Sequence, residues 1–191
     1  MNPSLSLFLS SIFIFLVLHF HGVNGDLISH VCKNASTPID YPQLTYDFCV
    51  ASLSENPASK HAHLSGLGVI SMQKCLQNAT SIHSHIIQIL KDGKEAPVAK
   101  PYISYCLDRY SEAITAVQKA TASFKIRDYS GANTQMTAAM DASYWCEHSF
   151  HDLLQEDYEL TSPLTKQNDD FFRLSGISLA ITNMAITNTV K

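Results

Sequence analysis

The chain has 191 residues, 46% hydrophobic and 16% charged, with 13 basic against 17 acidic side chains and a formal net charge of −4. That length suits one domain with enough interior to bury a core. The basic residues are dispersed, which argues against a nucleic-acid partner, and a mildly acidic surface suits a basic protein partner instead.

Residues 5–20, LSLFLSSIFIFLVLHF, form an uncharged apolar run, and the short polar segment HGVNG (21–25) follows it. Val23 and Gly25 are small residues at the spacing a signal peptidase accepts, so residues 1–25 are expected to be a signal peptide. About 16 apolar residues are too few for a membrane span, and no later stretch is longer or more apolar. The expected product is a secreted protein with no membrane partner, running from Asp26 to Lys191.

Residues 26–60 carry prolines and the closely spaced pair Cys32 and Cys49, the pattern of a disulfide-closed arm of short helices and turns. Beyond the arm, glycine is sparse and apolar residues recur at steps of three and four, which predicts amphipathic helices rather than strands. The first stripe is Val69, Met72, Leu76, Ala79, Ile86 and Leu90, interrupted by His83, which the pattern treats as a hydrogen-bonded core histidine. It ends at Lys91-Asp92-Gly93, where Gly93 suits a helix C-cap. A second stripe, with Pro97 near its start, runs Ile103, Cys106, Tyr110, Ala113, Val117, Ala120 and Phe124.

The segment KIRDYSGA (125–132) breaks that pattern and offers Asp128 as the next N-cap. The third stripe is Ala132, Met136, Ala139, Ser143, Cys146, Phe150 and Leu153. In the linker YELTSP (158–163), Ser162 is the N-cap and Pro163 belongs to the first turn of a last helix. That helix carries Phe171, Leu174, Ile177, Ile181 and Met184. Four long helices with short connections predict an all-α, antiparallel up-and-down four-helix bundle over residues 61–188.

In a secreted chain, five cysteines read as disulfides with at least one thiol left over. Residues equidistant from the turn of a helix hairpin lie side by side. Cys106 and Cys146 are equidistant from residue 126, inside the turn, and both lie on apolar seams, so they should meet. Cys75 fails the same test, because it should oppose a position about seven residues, or ~10 Å, from Cys106. The expected pairs are Cys32–Cys49 and Cys106–Cys146. Cys75 is left as a free thiol, a small core-facing hydrophobe in a monomer or the link in a disulfide-bonded dimer. The sequons at Asn34 and Asn78 are candidate N-glycosylation sites.

The stretch AMDASYWCEHSFHDLL (139–154) gathers the residues that could carry chemistry. A cysteine in a disulfide cannot be a catalytic thiolate. His148 and His151 lie three apart on a helix, and with Glu147 and Asp152 they have the spacing of a metal site, but the paired Glu-x-x-His motifs of a di-iron bundle are missing. They are read as solvated surface residues. No GxSxG elbow, phosphate loop or Walker motif occurs. The expectation is a binding protein with no catalytic residues, no metal and no cofactor.

Several segments together resemble the plant invertase and pectin methylesterase inhibitor family: YDFCVASLSENPASKHAHLSGLGVIS (46–71), YCLDRYSEAI (105–114), DYSGANTQMTAAMDASYWCEHSF (128–150) and SPLTKQNDDFFRLSGISLAIT (162–182). Within it the similarity is to pollen-allergen-like members described as candidate invertase inhibitors. The resemblance implies a four-helix bundle preceded by an α-hairpin, with first–second and third–fourth disulfides. It also implies an extracellular, cell-wall or vacuolar protein that docks over the active-site cleft of an acid invertase or a pectin methylesterase in a one-to-one complex. Helices two and three of the bundle would supply the docking surface, with Trp145, Glu147 and His148 as candidate target-binding residues.

Pectin methylesterase inhibitors tend to carry Thr directly before the fourth cysteine and Asp two places after it; this chain has Trp145 and His148. The Pro-Lys-Phe tripeptide of invertase-directed members is also absent, so the target stays open between the two enzymes. A histidine at such an interface gains charge near its ordinary pKa of about 6.5, which predicts binding that varies with pH. The alternative is a non-inhibitory secreted bundle of pollen-allergen type.

Overall fold

The computed structural model describes residues 27–36, 43–151 and 161–189. The signal peptide, Asp152, Leu153, the linker over 158–160 and the His151 side chain lie outside the described residues. Within them the chain forms six helices: α1 (27–35), α2 (Tyr46–Ser54), α3 (Leu64–Asp92), α4 (Lys100–Lys125), α5 (Tyr129–His151) and α6 (Thr165–Thr189). Short 3-10 turns at Pro57–His61 and Pro97–Ala99 lead into α3 and α4. Among the described residues there is no strand, and no helix is long and apolar enough to cross a membrane.

Local chemistry sets the helix ends. Thr45 caps α2, its hydroxyl accepting from the Phe48 N–H at 3.3 Å. Gly93 ends α3 in the left-handed region, at φ 61°, and its N–H donates to the Ile89 carbonyl at 3.2 Å. A side chain is disfavoured at that φ, and glycine is not. Asp128 opens α5, accepting from the Gly131 N–H at 2.9 Å. Ser162 receives the Leu164 N–H at 3.1 Å just ahead of α6.

Helices α3 to α6 form the bundle: α4 packs on α3 and α5, and α6 closes the ring against α5 and α3. A disulfide joins Cys106 of α4 to Cys146 of α5, with Cα atoms 4.8 Å apart. A second joins Cys32 of α1 to Cys49 of α2, at 5.5 Å. The resulting arm lies against the bundle. Glu55 pairs with Lys74 of α3, the Arg173 guanidinium of α6 sits 4.1 Å above the Phe48 ring, and Leu44 packs on Gly176. In the chain-entropy picture, closing the α4–α5 loop stabilises by about 4 kcal/mol and closing the arm by about 3 kcal/mol.

The second stripe is buried throughout, as is the third up to Phe150. The first differs from expectation. The seam of α3 runs through Leu67, Met72, Cys75, Ala79, Ile82 and Ile86, while Val69, Leu76 and Leu90 are only partly buried at its margins. This helix faces two neighbours, so its buried arc is wider than one stripe and is centred between them. His83 is therefore half-buried beside Ile82 and bonds Ser111 of α4 at 3.0 Å, a link at the rim of the interface rather than within the core. Helix α6 buries polar residues as well: Asn168, Ser175, Ser178 and Thr182.

Gly68 of α3 packs directly under the Phe124 ring of α4, where an added Cβ would fall 2.3 Å from Cζ of Phe124. The Phe124 ring is itself buried and stacked edge-on against Tyr129 at 5.0 Å, so it has nowhere to withdraw. Gly68→Ala should therefore destabilise the fold by about 1–3 kcal/mol. Urea denaturation checks this; an unchanged midpoint would mean that the ring moves freely.

Candidate functional site

Near the end of α5, Ser143, Cys146 and Phe150 point inward, while Tyr144, Trp145 and His148 point outward. Tyr144 is 44% exposed and Trp145 is 52% exposed, values far above those of any core aromatic in the chain. The two rings meet edge to face, with centroids 5.1 Å apart and planes at 84°. The imidazole of His148 lies 4.1 Å from the Tyr144 ring. On α4, Tyr105 is also exposed and carries the Arg109 guanidinium 5.1 Å above its ring. Tyr105 directly precedes Cys106 and Trp145 directly precedes Cys146, so the disulfide fixes the two aromatic positions relative to each other. Three mutually packed rings on one surface offer the large, rigid, amphipathic contact area that anchors protein interfaces.

Glu147 has a different situation. Its Oε1 accepts from the Thr165 hydroxyl at 2.6 Å and its Oε2 from Nδ2 of Asn168 at 2.7 Å. Asn168 is 3% exposed, and its Oδ1 accepts from the Tyr110 hydroxyl at 2.7 Å. Burial, reinforced by the nearby Glu147 carboxylate, holds the Tyr110 phenol far above its ordinary pKa, so it remains a donor. One chain of hydrogen bonds therefore links α4, α6 and α5 immediately beneath the exposed aromatics. Both Glu147 oxygens are engaged in it, which makes this residue a tie between helices before it is anything else.

Between α5 and α6 lies a shallow groove of about 390 Å³, lined by Tyr144, Glu147, His148, Asp169 and Phe172 among others. Among the described residues no group of three His, Cys, Asp or Glu side chains has the arrangement of a metal site. Sequence reasoning missed two members of this region. Tyr144 had a visible signal as the neighbour of Trp145. Asn168 stands one step before Phe171 on the apolar period of α6, and a carboxamide in phase with a core stripe calls for a buried partner.

Cys75 is fully buried on the α3 side facing α6, 3.4 Å from the Ser178 hydroxyl, which in turn donates to Ser71 at 3.0 Å. A disulfide-linked dimer through this thiol would require opening the bundle. Asn34 is exposed on α1, whereas Asn78 is half-buried on α3 with its Oδ1 inside the protein.

A family profile described as plant invertase/pectin methylesterase inhibitor matches residues 26–181. The chain belongs to this family. It is 41% identical over 165 residues to a Platanus orientalis protein named "Putative invertase inhibitor", covering 86% of this chain and 93% of that one. It is 36% identical over 179 residues to "Pectinesterase inhibitor 12" of Arabidopsis thaliana, covering 93% and 98%. A crystal structure of a mutant pectin methylesterase inhibitor from Arabidopsis superposes with a TM-score of 0.63 at 26% identity, covering 79% of this chain and 96% of that one. The helical bundle with its two disulfides is thus an inhibitor fold, and the family is one of inhibitors, not enzymes.

Two outcomes follow from the buried groups. Asn168→Leu strands the buried Tyr110 hydroxyl at a cost of about 1–3 kcal/mol, while the freed oxygen of half-buried Glu147 can turn to water in the groove. Adding Tyr110→Phe should recover part of that loss in urea denaturation, because it removes one stranded donor. Burial raises the Cys75 thiol from 9.0 to about 11. The unfolded chain then loses this proton first, so the thiol's contribution to stability is full below pH 9.0 and disappears as pH rises through about 11. Wild type should lose stability over that interval more steeply than Cys75→Ala, and iodoacetamide should label the native thiol only after denaturation.

Proposed function

We propose that the mature chain is a secreted, monomeric inhibitor of a plant acid invertase or pectin methylesterase, and that it docks through the α4–α5 face. Its relatives carry the names of both inhibitor types. The observation that carries the docking face is the exposed Tyr144–Trp145–His148 cluster, held on a helix that the Cys106–Cys146 bond and the Glu147–Asn168–Tyr110 chain keep in place. A rigid aromatic platform loses little conformational freedom on binding, so its apolar contact converts efficiently into affinity.

In this account Trp145 is the anchor that enters the target's cleft, and His148 and Tyr144 flank it. Glu147 supports the surface from below, because its carboxylate is committed to Thr165 and Asn168. Occlusion of the cleft requires no chemistry from the inhibitor, in keeping with a site built of rings.

The purified, oxidised chain should abolish one of the two activities stoichiometrically when titrated against each enzyme at about pH 5 and about pH 7. Trp145→Ala should weaken that inhibition by tenfold or more, on the order expected for an interface anchor. A folded chain that inhibits neither enzyme would leave the non-inhibitory bundle as the correct account.

A further inference from the structure

The opposite end of the bundle carries different chemistry. Where α4 turns into α5, a cleft of about 420 Å³ opens toward the first turn of α3. Ser65 and Gly66 form one wall, and Phe124, Lys125, Arg127 and Tyr129 form the other. Tyr129 and Trp145 are 16 residues apart on one helix, which separates this cleft from the aromatic face by about 24 Å.

Among the described residues Lys74, Arg109, Lys166 and Arg173 pair with carboxylates, whereas the two cations of the cleft, like several other surface lysines, do not. The Lys125 and Arg127 side chains are exposed and bond to no other described residue. The adjacent carboxylate, Asp128, is occupied by the Gly131 N–H at the start of α5. Beside these cations the Tyr129 ring is held by its edge-on contact with Phe124, and Ser65 lines the same space. Arg127 also has a φ of 65°, a left-handed conformation that glycine would adopt without cost.

We infer that this cleft binds an acidic polysaccharide, specifically a polyuronate chain such as de-esterified pectin. Each feature of a sugar acid finds a counterpart. Lys125 and Arg127 meet carboxylates, Arg127 with the paired N–H donors that suit them. Tyr129 offers a face to the apolar side of a sugar ring, and Ser65 bonds a hydroxyl. Methyl esterification would remove the charge that the cations recognise. The choice of pectin as the polyuronate rests on the proposed inhibitor function: a pectinesterase releases free carboxylates on its polymer, and an inhibitor held by that product would be concentrated beside the enzyme.

The test uses the full mature chain with both disulfides formed, in about 0.15 M salt at a mildly acid pH. Affinity electrophoresis in gels containing polygalacturonate, highly methyl-esterified pectin or dextran sulfate reads the binding. The variant is the double substitution Lys125→Gln with Arg127→Gly; the glycine relieves the positive φ, so the thermal midpoint should not fall. Polygalacturonate should retard wild type, with apparent affinity at least about tenfold weaker for the variant and for the esterified polymer. Inhibition of the target enzyme by the variant should equal that of wild type.

The inference is overturned if the folded wild type ignores polygalacturonate, if the variant binds as well as wild type, or if the esterified polymer or dextran sulfate is bound equally well. Retardation by polygalacturonate with no inhibition of either enzyme would leave the sugar-acid site standing and remove the inhibitor reading. Inhibition without retardation would remove only the sugar-acid site.

Discussion

The buried carboxamide of Asn168 is the joint on which the working end of this bundle depends. It accepts from Tyr110 of α4 and donates to Glu147 of α5, and it contacts the sulfur of Cys146 at 3.4 Å. Every strong donor and acceptor in that chain has a partner, which is the condition under which buried polar groups hold a unique arrangement rather than weaken it. The Cys106–Cys146 bond constrains the same place covalently. Hydrophobic packing alone would allow α5 and α6 to slide; these directional contacts set their register.

That register explains why one segment both buries and displays its residues. Across Ser143 to Phe150 the helix alternates between a face sealed by the disulfide and the carboxamide and a face of stacked rings. A binding surface with a fixed backbone and mutually packed aromatics is organised before the partner arrives, and preorganisation is what lets a modest surface bind tightly. The α1–α2 arm is tied on differently: among the described residues an ion pair and a cation–ring contact join it to the bundle, exposed ion pairs add little, and buried side chains such as Val31, Leu44 and Leu53 belong to the common core. The arm's own integrity comes from Cys32–Cys49.

The two ends of the bundle therefore differ in kind. One shows aromatic rings above a satisfied polar network. The other shows two cations, without a carboxylate partner among the described residues, around a cleft at a turn in a protein whose formal charge is −4. Helix α5 spans the distance between them, so a partner at one end leaves the other end accessible.

The sequence alone determined the helices, their caps and the four-helix arrangement, because apolar periodicity and capping residues such as Gly93, Asp128 and Ser162 act locally. It also placed Cys106 opposite Cys146, since a tight helix hairpin leaves little freedom in register. Tertiary structure decided what depends on several helices meeting. The seam of α3 centres on Cys75 and Ile82 because two neighbours share that helix. Glu147 reads as an exposed acid next to Trp145 until Asn168, 21 positions later, is brought against it. A polar side chain's role follows from the partners available at its tip, and those partners come from packing between segments that no local pattern connects.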